Sequence, residues 1–270
     1  MITFPNAKIN LGLFVTDKRP DGFHNLESIF TPISWCDILE VIPSSELTFK
    51  SSGINIPSSL SQNLVIQAYN LLKDNYDLPP VSVLLDKRIP IGAGLGGGSA
   101  DASFMLLLLN QYFNLNINQD ELCLYANKLG SDCPFFIKNQ PCLVKGTGEL
   151  LKPINIDLKD YKIALINPGI HISTKEAYSG ITPKKPKSSI LDIIQSPIDD
   201  WESNGLKNDF EDHIFQNHPV LPSIKKQLYN AGASYSAMSG SGSTIFGIFK
   251  NEIPELNLDD NWQFFNAKFT

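Results

Sequence analysis

The sequence has little cysteine, no excess of basic charge and no long apolar run. Four of its 270 residues are cysteine (Cys36, Cys123, Cys133 and Cys142). None stands in a C-x-x-C pair, and the interval from Cys133 to Cys142 is too loose for a zinc knuckle. The pattern is read as reduced thiols in a cytoplasmic protein, with no cysteine metal site expected. Lys and Arg number 22 against 28 Asp and Glu, a formal charge of −6. That balance argues against a nucleic-acid partner, which would call for a basic face. A local anion site stays open, because one pocket can be positive on an acidic protein. The most apolar stretch, FMLLLLNQYF at 104–113, is interrupted by Asn110 and Gln111. It is too short to span a bilayer and reads as a buried helix. The opening MITFPNAKIN lacks the apolar core of a signal peptide, so no membrane partner is expected.

What is present suits one large domain or two smaller ones. Hydrophobic residues make up 42% of the chain, enough for a real core. KINLGLFV at 8–15 places Ile9, Leu11, Leu13 and Val15 on one face of a strand. Lys8 and Asn10 share the opposite face by the two-residue period. Pro20-Asp21-Gly22 signals a turn. DILEVIP, ELTFKSS and VSVLLDKRI read as strands. NLVIQAYNLLKDNY at 63–76 has helical spacing, with Asn63 at its start. Helices follow over 99–113 and near 119–129. Then come strands around a Gly146/Gly148 turn, and a strand at 161–169. An exposed, Pro- and Lys-rich loop occupies 181–190. Helices near 206–216 and 222–231 precede a strand at 244–250. The elements do not alternate as regular βαβ units, so the fold class is α+β.

The densest signal is PIGAGLGGGSAD at 90–101. Glycine costs conformational entropy on folding, so Gly92, Gly94, Gly96, Gly97 and Gly98 together need a reason. GAGLGG formally matches G-x-G-x-x-G. A dinucleotide fold also needs a second strand ending in an acidic residue about 20 residues on, and NINQDELCLYANKL opens a helix there instead. A phosphate loop of the G-x-x-x-x-G-K-[ST] type needs lysine where Gly98 stands. What remains is a glycine run leading into a helix. Its first N–H groups have no intrahelical partners, and the helix dipole adds positive charge, so together they form an anion site. Ser99 either touches a phosphate or Mg²⁺, or caps the helix.

Five stretches, PNAKINLGL (5–13), RPDGFHNLESIF (19–30), PIGAGLGGGSADA (90–102), LGSDCPFF (129–136) and MSGSGSTIFGIF (238–249), resemble the motifs of the GHMP small-molecule kinases, in that family's order. The first two are most similar to those GHMP kinases whose acceptor is a cytidine diphosphate-linked methylerythritol. The resemblance implies a two-domain α+β fold with the active site in an interdomain cleft, an N-terminal domain over 1–155 and a C-terminal domain over 156–270. It implies ATP with Mg²⁺ as cofactors, and a monomer or weak homodimer.

It also implies roles. Asp132, lying between a helical run and a strand-like FFI, would be the catalytic base, with Lys8 paired to it. Pro90, Ile91, Gly92, Ala93, Gly94, Leu95, Gly96, Gly97, Gly98, Ser99 and Ala100 would bind the nucleotide phosphates, with Asn63 and Lys87 near adenine. Asn10, Phe23, His24 and Tyr178 would bind the acceptor: Asn10 the diol, His24 the cytosine edge and Tyr178 its face. Phe23 stands where many members have tyrosine; it keeps the ring and loses the hydroxyl. Ser239-Gly240-Ser241-Gly242 is a second glycine turn, read either as backing for the site or as a plain tight turn.

Overall fold

The computed structural model describes residues 1–57 and 59–270. In chain order its strands are β1 (Ile2–Thr3), β2 (Asn6–Lys18), β3 (His24–Cys36), β4 (Ile38–Pro43), β5 (Thr48–Gly53), β6 (Val81–Lys87), β7 (Cys142–Lys145), β8 (Leu150–Pro153), β9 (Lys162–Asn167), β10 (Tyr235–Met238), β11 (Ile245–Phe249) and β12 (Gln263–Lys268). Its helices are α1 (Leu64–Tyr76), α2 (Gly97–Tyr112), α3 (Gln119–Leu129), α4 (Cys133–Lys138), α5 (Thr174–Ser179), α6 (Ile190–Ile194), α7 (Glu211–Asn217) and α8 (Val220–Asn230). This is the expected α+β class. The chain forms two compact units. One holds Met1–Ala7, Trp35–Ile91 and Gly96–Gln140; the other holds Lys8–Ser34, Gly92–Leu95 and Pro141–Thr270.

The first unit is a sheet of order β1-β4-β6-β5 covered by α1 to α4. β4 runs antiparallel to β6, and β5 runs parallel to it. Along β6 every second side chain is buried, as its V-x-V-x-L pattern predicts. Val83 and Leu85 meet Val65, Tyr69 and Leu72 of α1, and Met105, Leu106 and Leu109 of α2, in one core. Burying each of these side chains fully is worth about 1.5–3 kcal/mol. Asn63 caps α1 by accepting the Val65 N–H at 2.9 Å, and Asp77 closes the helix with φ 49°. These local signals explain why this helix was readable from sequence.

The FFI segment departs from its strand-like reading: Phe135, Phe136 and Ile137 belong to α4. A short apolar run does not distinguish a strand from a buried helix by periodicity. Here Pro134 sits in the first turn, where its fixed φ suits a helix and its missing N–H costs nothing. α2 begins at Gly97, two residues earlier than expected, with Gly96 in the left-handed region as its cap. Ser99 is therefore inside the first turn and is not the cap.

The second unit carries sheets of order β2-β3-β7-β8 and β10-β11-β9-β12. The latter is antiparallel throughout. Leu13 and Val15 of β2 share a core with Ile166, Phe210, Ile214, Leu221, Ile224 and Ile245. The helix expected at 206–216 starts only at Glu211. Ahead of it Asn208 bridges to Leu13, and the chain turns at 209–210 into the helix, with Asp209 Oδ2 accepting the Val15 N–H at 2.8 Å. Sequence reading also passed over β3, α5, α6, β10 and β12. Among the described residues no helix is long and apolar enough to cross a membrane.

Candidate active site

β2 is covered on both faces from Asn6 to Val15, so its polar face has to be satisfied internally. Lys8 is only 3% exposed. Its Nζ donates to Asn10 Oδ1 at 2.7 Å and lies 4.3 Å from the centre of the Phe30 ring, within cation–π range. Asn10 Nδ2 donates to Ser28 Oγ at 2.9 Å, which donates to the Gly12 carbonyl at 2.6 Å. The chain of bonds fixes the amide orientation of Asn10. It thereby presents an oxygen to the Lys8 ammonium. The Lys8 N–H donates to the Leu95 carbonyl at 3.0 Å, joining this strand to the middle of the glycine stretch.

That stretch needs glycine for three separate reasons. Gly92, Gly94 and Gly96 have φ of 65°, 78° and 70°, a region that side-chain-bearing residues avoid. Gly94 is also pressed against backbone: a Cβ there would lie 1.8 Å from the Ser239 carbonyl oxygen. The turn at 239–242 is the partner in this contact, and Ser239 Oγ donates to the Gly94 carbonyl at 2.8 Å. Gly97 abuts a side chain, since its Cβ would lie 2.9 Å from Lys87 Nζ. Gly98 differs from all of these. It is exposed, and a Cβ would meet only Leu64 Cδ1, at an ordinary 3.8 Å. No protein contact requires glycine at 98. Ala in place of Gly98 is therefore expected to raise the melting temperature slightly, because a helical Gly costs roughly 0.5–1 kcal/mol against Ala. It should weaken ADP binding all the same. Calorimetric titration of both proteins checks this, and unchanged ADP affinity would remove Gly98 from the phosphate site.

Lys87 does not face solvent: it is 3% exposed. It pairs with Asp37 and, at 2.8 Å, with Asp101 Oδ2. Burial pushes the Asp101 carboxyl up to about 7 against the opposing pull of Lys87. Asn63 is the α1 cap and is buried. Pro90 is buried and Ile91 is exposed.

Asp132 precedes α4 and makes no side-chain capping bond to it. The turn that carries Asp132 is held from α2: Ser103 Oγ donates to the Cys133 carbonyl at 2.8 Å, and Cys133 N donates to the Gly130 carbonyl at 3.1 Å. In the second unit the turn at 19–23 is closed by the Arg19–Asp21 ion pair at 2.8 Å and an Arg19 N–H bond to the Phe23 carbonyl. It leaves the Phe23 ring 65% exposed. The next residue, His24, stacks on Tyr178 with centroids 5.0 Å apart and planes 25° apart. Tyr178 in turn packs edge-on against Phe210. Two residues far apart in the chain that were assigned to one aromatic ligand thus touch each other. Among the described residues no cluster of three His, Cys, Asp or Glu side chains is placed to hold a metal.

Residues 63–140 match the family model of the GHMP kinases N terminal domain, and residues 198–265 match that of the GHMP kinases C terminal domain. A 4-diphosphocytidyl-2-C-methyl-D-erythritol kinase from Azobacteroides pseudotrichonymphae is 54% identical, over 93% of this chain and 94% of that one. The protein of the same name from Parabacteroides distasonis is 51% identical over 93% and 92%. The chain belongs to the 4-diphosphocytidyl-2-C-methyl-D-erythritol kinases. A crystal structure of a 4-(cytidine 5'-diphospho)-2C-methyl-D-erythritol kinase superposes with TM-score 0.81, at 29% identity over the whole of both chains. A homoserine kinase from Cytophaga hutchinsonii shares the fold, with TM-score 0.66 and 14% identity over 98% and 94%. As in any GHMP kinase, this fold serves an ATP-dependent phosphotransferase.

Sequence reasoning missed Asp37, Asp101, Ser28 and Asn208. Asn208 Nδ2 donates to the Met238 and Gly240 carbonyls, each at 2.7 Å, and so holds the 239–242 turn. Only the N-D-F-E stretch hinted at it: a polar pair ahead of a helix, which equally suits a plain cap.

Proposed function

We propose that this chain transfers the γ-phosphoryl group of ATP to the C2 hydroxyl of 4-diphosphocytidyl-2-C-methyl-D-erythritol, giving the 2-phosphate on the non-mevalonate route to isopentenyl diphosphate. The observation that carries this reading is the near full-length identity of about half to kinases of that name.

In this reading the nucleotide phosphates lie against Gly92 to Ala100, where the N–H groups opening α2 and its dipole offset their charge. Mg²⁺ would come with ATP and neutralise phosphate charge, and the Ser99 hydroxyl in the first turn of α2 is the candidate protein contact. Asp132 accepts the proton of the attacking hydroxyl as the O–Pγ bond forms and the bond from Pγ to the β-phosphate oxygen breaks. Lys8 offsets the charge that builds on the reacting oxygens. Phosphoryl transfer draws mainly on such positioning and charge stabilisation. Asn10 already orients Lys8, and it would bind the diol with the amide that Ser28 holds. His24 and Tyr178 would take the cytosine. Their rings are stacked with each other, so the base would displace a contact worth about 0.5–1.5 kcal/mol.

The test is phosphoryl transfer from MgATP to the cytidyl substrate, with mevalonate, homoserine and galactose as controls. Turnover of the cytidyl substrate alone is expected; turnover of a control instead would overturn the acceptor assignment. His24→Ala should raise KM for the cytidyl substrate by about tenfold or more, one base contact being worth about 1–3 kcal/mol, with KM for ATP within about twofold. Equal effects on both substrates would remove His24 from base recognition.

A further inference from the structure

Three carboxylate and ammonium groups, none assigned to the reaction step, meet under the start of α2. Lys87 ends β6, Asp37 lies between β3 and β4, and Asp101 is the fifth residue of α2. All three side chains are essentially buried. The ammonium is held by Asp37 on one side and by Asp101 Oδ2, at 2.8 Å, on the other. The second oxygen of Asp37 accepts two backbone N–H groups, those of Arg88 at 2.6 Å and Ile89 at 2.8 Å. These are the residues by which the chain leaves β6 toward the glycine stretch. On the other side, the position of a Gly97 Cβ is 2.9 Å from Lys87 Nζ, so the first turn of α2 rests on the same ammonium. Asp101 Oδ1 is buried and has no hydrogen-bond partner. An unsatisfied buried carboxylate oxygen is costly, and two carboxylates against one ammonium leave excess negative charge.

We propose that Lys87, Asp37 and Asp101 form a tether that positions the nucleotide-binding first turn of α2 relative to the end of β6, with Asp101 a positioning residue for ATP. The tether's role rests on the chain being an ATP-dependent kinase. A fold needing only stability at this point would do as well with apolar side chains, because buried ion pairs seldom stabilise over a well-packed hydrophobic replacement. What the tether supplies is directionality. One ammonium fixes both the backbone leading into the glycine stretch and the helix turn leading out of it. Phosphate binding by backbone N–H groups demands this, since a cradle that must be ordered on binding loses affinity.

Asp101→Ala separates this role from a structural one. It leaves the Lys87–Asp37 pair intact and charge-balanced, and it places a strong helix former in α2. The charged groups facing Asp101 are Lys87 and Asp37. A carboxyl raised to about 7 binds its proton more tightly folded than unfolded. Its contribution to stability therefore falls as pH rises from its ordinary value to about 7. At pH 8 the Ala variant should thus melt no lower than the wild type. It should nonetheless bind ADP roughly tenfold more weakly, with KM for the cytidyl substrate unchanged within about twofold. Asp101→Asn, which keeps an acceptor for Lys87, should restore most of that affinity. Amides of 88–101 should exchange faster in the Ala variant without nucleotide, a readout that holds whatever the protein phosphorylates. Unchanged exchange and unchanged ADP affinity would overturn the tether. So would a lowered melting temperature with equal losses for both substrates, or no rescue by Asn. Failure of the wild type to bind ADP would instead strike the kinase reading, with the exchange rates still deciding the tether.

Discussion

Asp132→Asn is expected to lower kcat by about 10²–10⁴-fold, the range that a positioned general base contributes, while the Kd for ADP and the melting temperature stay close to wild type. The reason for the split is local. Asp132 makes no side-chain capping bond to α4. α4 is held instead by the burial of Cys133, Pro134, Phe135, Phe136 and Ile137 and by the bond from Ser103. Asn has the same shape and keeps that packing, but its amide cannot take a proton. Steady-state rates on the cytidyl substrate, ADP titration and thermal melting measure the three quantities. Activity within about threefold of wild type would show that Asp132 orients the hydroxyl without accepting its proton. A fall in melting temperature matching the fall in rate would show a structural residue.

Gly94→Ala should be the most damaging single methyl group in the glycine stretch. The left-handed backbone alone costs an Ala about 1–2 kcal/mol. Steric overlap costs more: the new Cβ would sit 1.8 Å from the Ser239 oxygen and 2.8 Å from its carbonyl carbon. Both are backbone atoms, and the turn at 239–242 has little room to yield. Gly240 on the facing side already has φ 56° and would itself bring a Cβ to 3.0 Å from Gly94 Cα. Asn208 holds the Met238 and Gly240 carbonyls, and Glu211 Oε1 accepts the Met238 N–H at 2.7 Å. The expected result is a melting temperature lower by several degrees and loss of measurable ADP binding. Gly98→Ala, in the first turn of α2, is the control, because it should lose ADP affinity without losing stability. If Gly94→Ala melts like the wild type, the contact between this loop and the 239–242 turn is not the constraint that selects glycine.

Much of the secondary structure was legible because the signals are local. α1 has an Asn cap at its start, helical spacing and a left-handed Asp77 just past its end, all within one short stretch. β6 alternates strictly. Glycine density ahead of a helix marked residues 90–101 as special backbone, and φ is positive at Gly92, Gly94 and Gly96. The FFI segment was not legible, since three apolar residues carry no period of their own. Nor was Lys87. From its place at the end of a strand it reads equally well as solvent-facing, and its partners lie 50 and 14 residues away. The two faces of β2 posed a similar problem. Alternation separated Lys8 and Asn10 from Ile9 and Leu11, but it did not say that both faces are covered.

By itself, then, the sequence determined the kinase family, the glycine loop and most of the strands and helices, because each depends on residue types at short, fixed spacing. The tertiary structure decided which glycines are forced by backbone or side-chain contacts and which are not. It also decided that Lys8 and Lys87 are buried among partners, and that His24 meets Tyr178. Those outcomes depend on which distant segments come together. The chain passes between its two units at residues 7, 34, 91, 95 and 140, and no local spacing encodes such crossings. Contacts between distant segments follow from the burial of whole faces, a property of the assembled core rather than of any one stretch.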